Sequence, residues 1–203
     1  MSRIKGVQAG WSKPLLALIY WMTRRHMREI AENQTNRAIE PAEVYGHLPG
    51  VLIGYGIFVS AAEKQSHVDR RLKGLVVVKA ATLTHCEYCI DIASSAARRS
   101  GLSDEQLLAL PRYRESDRFS DLEKLVLDYA VGVSRTPVEI SDELFAALRE
   151  HFDERQLVEL TNAIAIENLH ARFNAALGIG AAGFTEGMVC AVPEPAGGHA
   201  AVE

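Results

Sequence analysis

Cys86 and Cys89 stand three positions apart in the segment Thr84-His-Cys-Glu-Tyr-Cys89. On a helix that spacing puts two thiols on one face, close enough for a disulfide if the first turn allows its geometry. The apolar pattern breaks at Thr84-His85 and resumes through Ile90, Ile92, Ala93, Ala96 and Ala97 until Gly101, so the pair falls in the first turn of a helix. Unpaired N–H groups and the positive dipole end at that position stabilise a thiolate and bring its pKa below the free value of about 8.5. Two such thiols can carry two electrons. A structural zinc ion needs four ligands, and the one further cysteine, Cys190, lies more than a hundred residues on. A thioredoxin-like motif needs a preceding strand, whereas Leu75–Leu83 reads as helix. Two inert buried thiols, behaving as small hydrophobes, are the plain alternative.

The elements that position the pair are helical throughout. Long segments carry apolar residues at helical spacing, and none sustains the period-two alternation of a half-buried strand, which predicts an all-α fold of seven to nine helices. The first helix is expected from Pro14 to about Glu32, a short one over Ala42–Gly46, and a buried one over Val51–Glu63. The stripe Leu72, Leu75, Val76, Val78, Leu83 marks a central helix that ends at the cysteines. Ser103 with Gln106 and Ser120 with Glu123 are capping boxes, and Asp153 with Gln156 opens a long last helix that Gly178 closes. Gly178, Gly180 and Gly183 have the spacing of a dinucleotide fingerprint, but they follow a helix rather than a strand, so they read as a helix-ending turn. Residues 1–192 form one expected domain, and 193–203, with two prolines and two glycines, an expected flexible tail.

With 203 residues, 48% apolar, the chain can bury one sizeable core. Its formal net charge of −4 comes with scattered basic residues, which gives no nucleic-acid footprint and no polybasic membrane patch. The apolar run Pro14–Met22 is too short to span a bilayer, and Thr23-Arg-Arg-His26 stands where a signal cleavage site would be, so a cytoplasmic location is expected.

Leu72-Lys-Gly-Leu-Val-Val-Val-Lys-Ala-Ala followed by Thr84-His-Cys-Glu-Tyr-Cys89 resembles the signature of the alkylhydroperoxidase-D-like, or carboxymuconolactone decarboxylase, family. Gly46-His-Leu-Pro-Gly50, the segment Phe119 to Ala130, Arg135-Thr-Pro137 and Glu167-Asn168 to Arg172-Phe-Asn174 resemble its longer members. The resemblance implies a homo-oligomer, a dimer, trimer or hexamer of all-α subunits, with no metal and no organic cofactor. It also implies that Cys89 attacks a hydroperoxide, that Cys86 resolves the sulfenic acid, and that an outside thiol or dithiol donor reduces the disulfide.

The same family pattern places a relay glutamate twelve residues before the first cysteine and a histidine four after the second, where this chain has Gly74 and Ala93. Replacements within one turn of the thiols are His85, Glu87, Tyr88 and Asp91; His47 and Glu167 are those that folding would have to bring in, and His170 is a further histidine to inspect. Each has an ordinary use as well: Glu87 and Asp91 complement the helix dipole, Tyr88 packs, and His85 caps or turns the chain. The expected function is a thiol-dependent hydroperoxide reductase. A lactone decarboxylase of the sister branch, which needs no cysteine pair, and a non-enzymatic redox-active oligomer are the alternatives.

Overall fold

The structure is a computed structural model that describes residues 2–10, 13–31, 33 and 35–194. Nine α-helices and no strand occur among the described residues: α1 (Pro14–Ile30), α2 (Glu40–Tyr45), α3 (Pro49–Glu63), α4 (Arg70–Leu83), α5 (Glu87–Arg99), α6 (Asp104–Ala109), α7 (Asp121–Ser134), α8 (Asp142–His151) and α9 (Glu154–Ala176). The all-α expectation holds.

Helix α4 is the centre, packed against α5, α7 and α9. Its residues Leu75, Val76, Val78, Ala80 and Ala81 are wholly buried, each large one adding roughly 1.5–3 kcal/mol by leaving water. The start of α4 is pinned twice. Asp69 caps its start by accepting the N–H groups of Arg71 and Leu72. Glu159 of α9 accepts the N–H groups of His67 and Val68 at 2.9 and 3.3 Å and the Lys73 ammonium at 2.6 Å. The boxes at Ser103, Ser120 and Asp153 form as the spacing predicts, each side chain and its partner three residues on satisfying the other's backbone.

Helix α3 departs from its expected burial. Leu52 is buried, but Val51, Ile53, Phe58 and Ile57 are exposed, Ile57 to 66%. Its residues are apolar on nearly every side, so periodicity marks no inward face. Helix α1 shows a similar open stripe of Leu15, Leu18, Trp21 and Met22.

The expected tail begins at Pro193, which is exposed, but Glu194 turns back into the core. Its N–H donates to Thr82 O at 3.2 Å and its carboxylate pairs with the buried Lys79 ammonium. Residues 195–203, the rest of that tail, lie outside the described residues.

Candidate active site

Cys86 is the N-cap of α5, and Cys89 is the third residue of its first turn. The turn between α4 and α5 is made by His85, whose φ of +55° is tolerated at one residue and reverses the chain. The Cys89 N–H, one of the free donors of the helix start, donates to Cys86 Sγ at 3.3 Å. Both thiols are free, and they are only 1% and 2% exposed.

The hydrogen bonds make the two sulfurs unequal. The Cys86 pKa is lowered by the Cys89 side chain first, against a burial effect that raises it, with the N–H groups of Cys89 and Tyr88 and the Asn174 amide adding to the fall. Cys89 moves the other way, raised by its bond to Cys86, by burial and by the charge of Glu167. Cys86 is therefore the readier thiolate, with Cys89 as its donor.

Helix α9 closes the site. Glu167, His170 and Asn174 project from successive turns of one side of it. The Asn174 amide donates to Cys89 Sγ at 3.5 Å. Glu167 is buried, and burial pushes its carboxyl up to about 8, with a hydrogen bond to the Cys89 thiol pulling the other way. His170 Nδ1 lies 3.8 Å from Glu167 Oε2, with 31% of the His170 side chain open to solvent against 8% for Glu167. Burial lowers the His170 pKa, so the ring is neutral at pH 7. The Tyr55 ring of α3 meets His170 edge-on at 5.3 Å, and Tyr45 of α2 stacks on Phe173 at 4.0 Å.

Of the candidates nearest in sequence, Asp91 and Tyr88 are engaged by other parts of the fold, and Glu87 and His85 face solvent. Asp91 is fully engaged by the loop after α9: Oδ2 accepts the N–H groups of Ala182, Gly183 and Phe184 at 2.9, 2.7 and 3.1 Å, and Oδ1 those of Thr185 N and Oγ1 at 2.8 and 2.7 Å. The Tyr88 hydroxyl donates to Ala38 O at 2.6 Å, its ring meets Phe184 edge-on, and burial raises its pKa far from any use at neutral pH. Glu87 and His85 are exposed, Glu87 in the first turn of α5 where its charge suits the dipole. His47 is bonded through Nε2 to Lys5 O at 3.0 Å. Cys190 packs on α5, its sulfur 3.5 Å from Ser94 Oγ and 3.8 Å from Ile90 O. Gly178 closes α9 at φ +68°, so the glycine cluster is the helix-ending turn its sequence context predicts. Asp91→Asn is expected to cost about 1–3 kcal/mol and Tyr88→Phe about 1 kcal/mol in denaturant unfolding, with the thiol chemistry of the folded fraction unchanged.

Packing explains the empty relay positions. A side chain at Gly74 would run into Ser100, whose Cβ lies 3.3 Å from where a Cβ would stand. Ala93 is buried in the core. An acid and an imidazole face the thiols from α9 instead, about eighty residues away in sequence: Glu167, which the sequence offers as a residue folding would bring in, and His170, which it offers as a histidine to inspect.

A helical domain with a free dithiol at a helix start, faced by a buried acid, belongs to the class of all-α thiol proteins. Residues 54–131 match the carboxymuconolactone decarboxylase family, and the chain is 39% identical over 176 residues to YnjA, an uncharacterised protein of Escherichia coli strain K12, covering 86% of this chain and 89% of that one. The chain belongs to the carboxymuconolactone decarboxylase family. Its fold is that of the debrominase Bmp8, with TM-score 0.72 and 21% identity over 86% of this chain and 89% of the other. It is also that of a peroxidase-related protein with an alkylhydroperoxidase AhpD core from Ralstonia eutropha JMP134, with TM-score 0.66 and 19% identity over 88% and 90% of the two chains. At those identities the likeness is one of fold. No helix among the described residues is long and apolar enough to cross a membrane.

Proposed function

We propose that the protein is a thiol-dependent hydroperoxide reductase working through a Cys86–Cys89 disulfide. The observation that carries this is the pair of free thiols at the α5 start, one held as the readier thiolate by the other and by backbone N–H groups. The Cys86 thiolate attacks the outer peroxide oxygen, the O–O bond breaks, and an alcohol leaves once its oxygen takes a proton. Cys89 then attacks the Cys86 sulfenic acid, water leaves, and the disulfide forms. An outside thiol or dithiol donor returns both thiols. This reverses the order of attack implied by the family resemblance, because the free helix N–H groups favour charge on Cys86.

Membership in a family with peroxidase-related relatives of like fold supports the reading. The exposed apolar stripes of α1 and α3 support self-association, and a chain with three cysteines, two of them a proposed redox pair, suits a cytoplasmic setting. Hydroperoxide added to the pre-reduced protein is expected to remove two thiols per chain and leave Cys190. Thiols that stay reduced under excess peroxide defeat the proposal. A brominated pyrrole in the same assay tests a second reading, reductive dehalogenation, favoured by the Bmp8 fold and the aromatic layer of Tyr45, Tyr55 and Phe173 beside His170.

A further inference from the structure

Helix α9 turns a further polar group on the thiols. Asn174 is 3% exposed, and its carboxamide touches both sulfurs: the amide donates to Cys89 Sγ at 3.5 Å and is bonded to Cys86 as well. Its Oδ1 finds no hydrogen-bond partner among the described residues, a costly arrangement for a buried acceptor unless another state of the site brings it a donor. The backbone fixes the amide where α9 ends, with the Ile179 N–H donating to Asn174 O at 2.9 Å and Gly178 turning the chain at φ +68°.

We propose that Asn174 is a catalytic residue that holds the oxygen taken up by Cys86, its N–H donating to that oxygen and its Oδ1 accepting the O–H of the Cys86 sulfenic acid. The inference rests on the sulfenic acid of the function proposed above. Attack by the thiolate forms the S–O bond and breaks the O–O bond, and the transferred oxygen keeps its hydrogen. In the next step an incoming thiol forms the S–S bond, the S–O bond breaks with both electrons staying on oxygen, and that oxygen takes the proton of the thiol and leaves as water. Negative charge builds on the oxygen as the S–O bond breaks. A fixed N–H aimed at it bonds more strongly then than in the sulfenic acid itself, which lowers the barrier.

The states of the site differ in what they offer this amide. The reduced pair leaves Oδ1 unpaired, and a disulfide has no hydrogen to give it. A sulfenic acid on Cys86 brings an O–H donor and an oxygen acceptor together, and so satisfies both ends. Other side chains of α9 are placed differently. The Glu167 carboxyl bonds to the Cys89 thiol, and the amide of the buried Asn168 donates to Ser134 Oγ and Ile164 O, both at 3.0 Å.

The test starts from Cys89→Ser, in which one equivalent of hydrogen peroxide is expected to leave the sulfenic acid on Cys86. Added mercaptoethanol then yields the mixed disulfide and water, and the ionisation of Cys89 plays no part in the rate. Asn174→Leu in that background keeps the branched outline of the side chain and removes both polar ends. It is expected to slow this step on the order of 10- to 100-fold at fixed pH. Asn174→Ala, which is too small to overpack, is expected to slow it as well. Both are expected to stay folded, since each removes an acceptor that has no partner. Equal rates with and without the amide overturn the proposal and leave the peroxidase reading standing, and slowing by leucine alone means obstruction and overturns it too. Cys86 that forms no sulfenic acid overturns both.

Discussion

Peroxide added to pre-reduced Cys89→Ser is expected to leave a trapped sulfenic acid on Cys86, formed at close to the wild-type initial rate, while Cys86→Ser oxidises at least ~100-fold more slowly. Serine at 89 keeps both the backbone N–H that donates to Cys86 Sγ and a side-chain donor. Serine at 86 takes away the N-cap sulfur and leaves Cys89 alone beside a carboxyl and deep in the core, where burial raises its pKa. A thiol moved in that direction has far less thiolate at neutral pH than a lowered one. Trapping agents and mass spectrometry of the two variants check this. Sulfenic acid on Cys89 in Cys86→Ser, at wild-type speed, would restore the order implied by the family resemblance and reject the one argued from hydrogen bonds.

Glu194→Ala is expected to lower stability by about 3–5 kcal/mol, or on the order of 10 °C in melting temperature. Lys79 is 1% exposed, and among the described residues its ammonium has, besides Glu194, only Leu110 O at 3.0 Å and the Tyr113 ring at 4.5 Å. Burial already lowers its pKa, with the Glu194 carboxylate acting against that fall. Removing the acid strands a cation in the core, whereas Lys79→Met with Glu194→Leu removes both charges and should recover most of the loss. Urea unfolding with unchanged slope reads the difference. A Glu194→Ala protein that melts with the wild type would show that the Lys79–Glu194 pair adds nothing to stability.

The helices were legible where their signals are local. Capping boxes at Ser103, Ser120 and Asp153 concern residues three apart, and so does the dithiol, so each could be read and each formed. The burial of α3 was not legible, because a segment apolar on all sides has no period to read. Asp91 looked like a relay candidate by its nearness to Cys89, but its use is fixed by four N–H groups of a loop some ninety residues later. Glu167 and His170 were in view only as residues that folding could bring in. What decides their role is the crossing of α9 over α5, a tertiary contact that spacing along one helix does not encode.

Gly74 has a consequence for how such a site can change over time. A glutamate introduced there would displace the Ser100 hydroxyl and press on its Cβ, 3.3 Å from the added Cβ, while the Ala97 Cα at 3.6 Å is in ordinary contact. The closeness of α4 to α5 therefore sets any side chain at position 74 against Ser100, while α9 brings an acid and an imidazole to the thiols from another side. A substitution at position 74 is thus coupled to position 100, where a smaller side chain would make room for it.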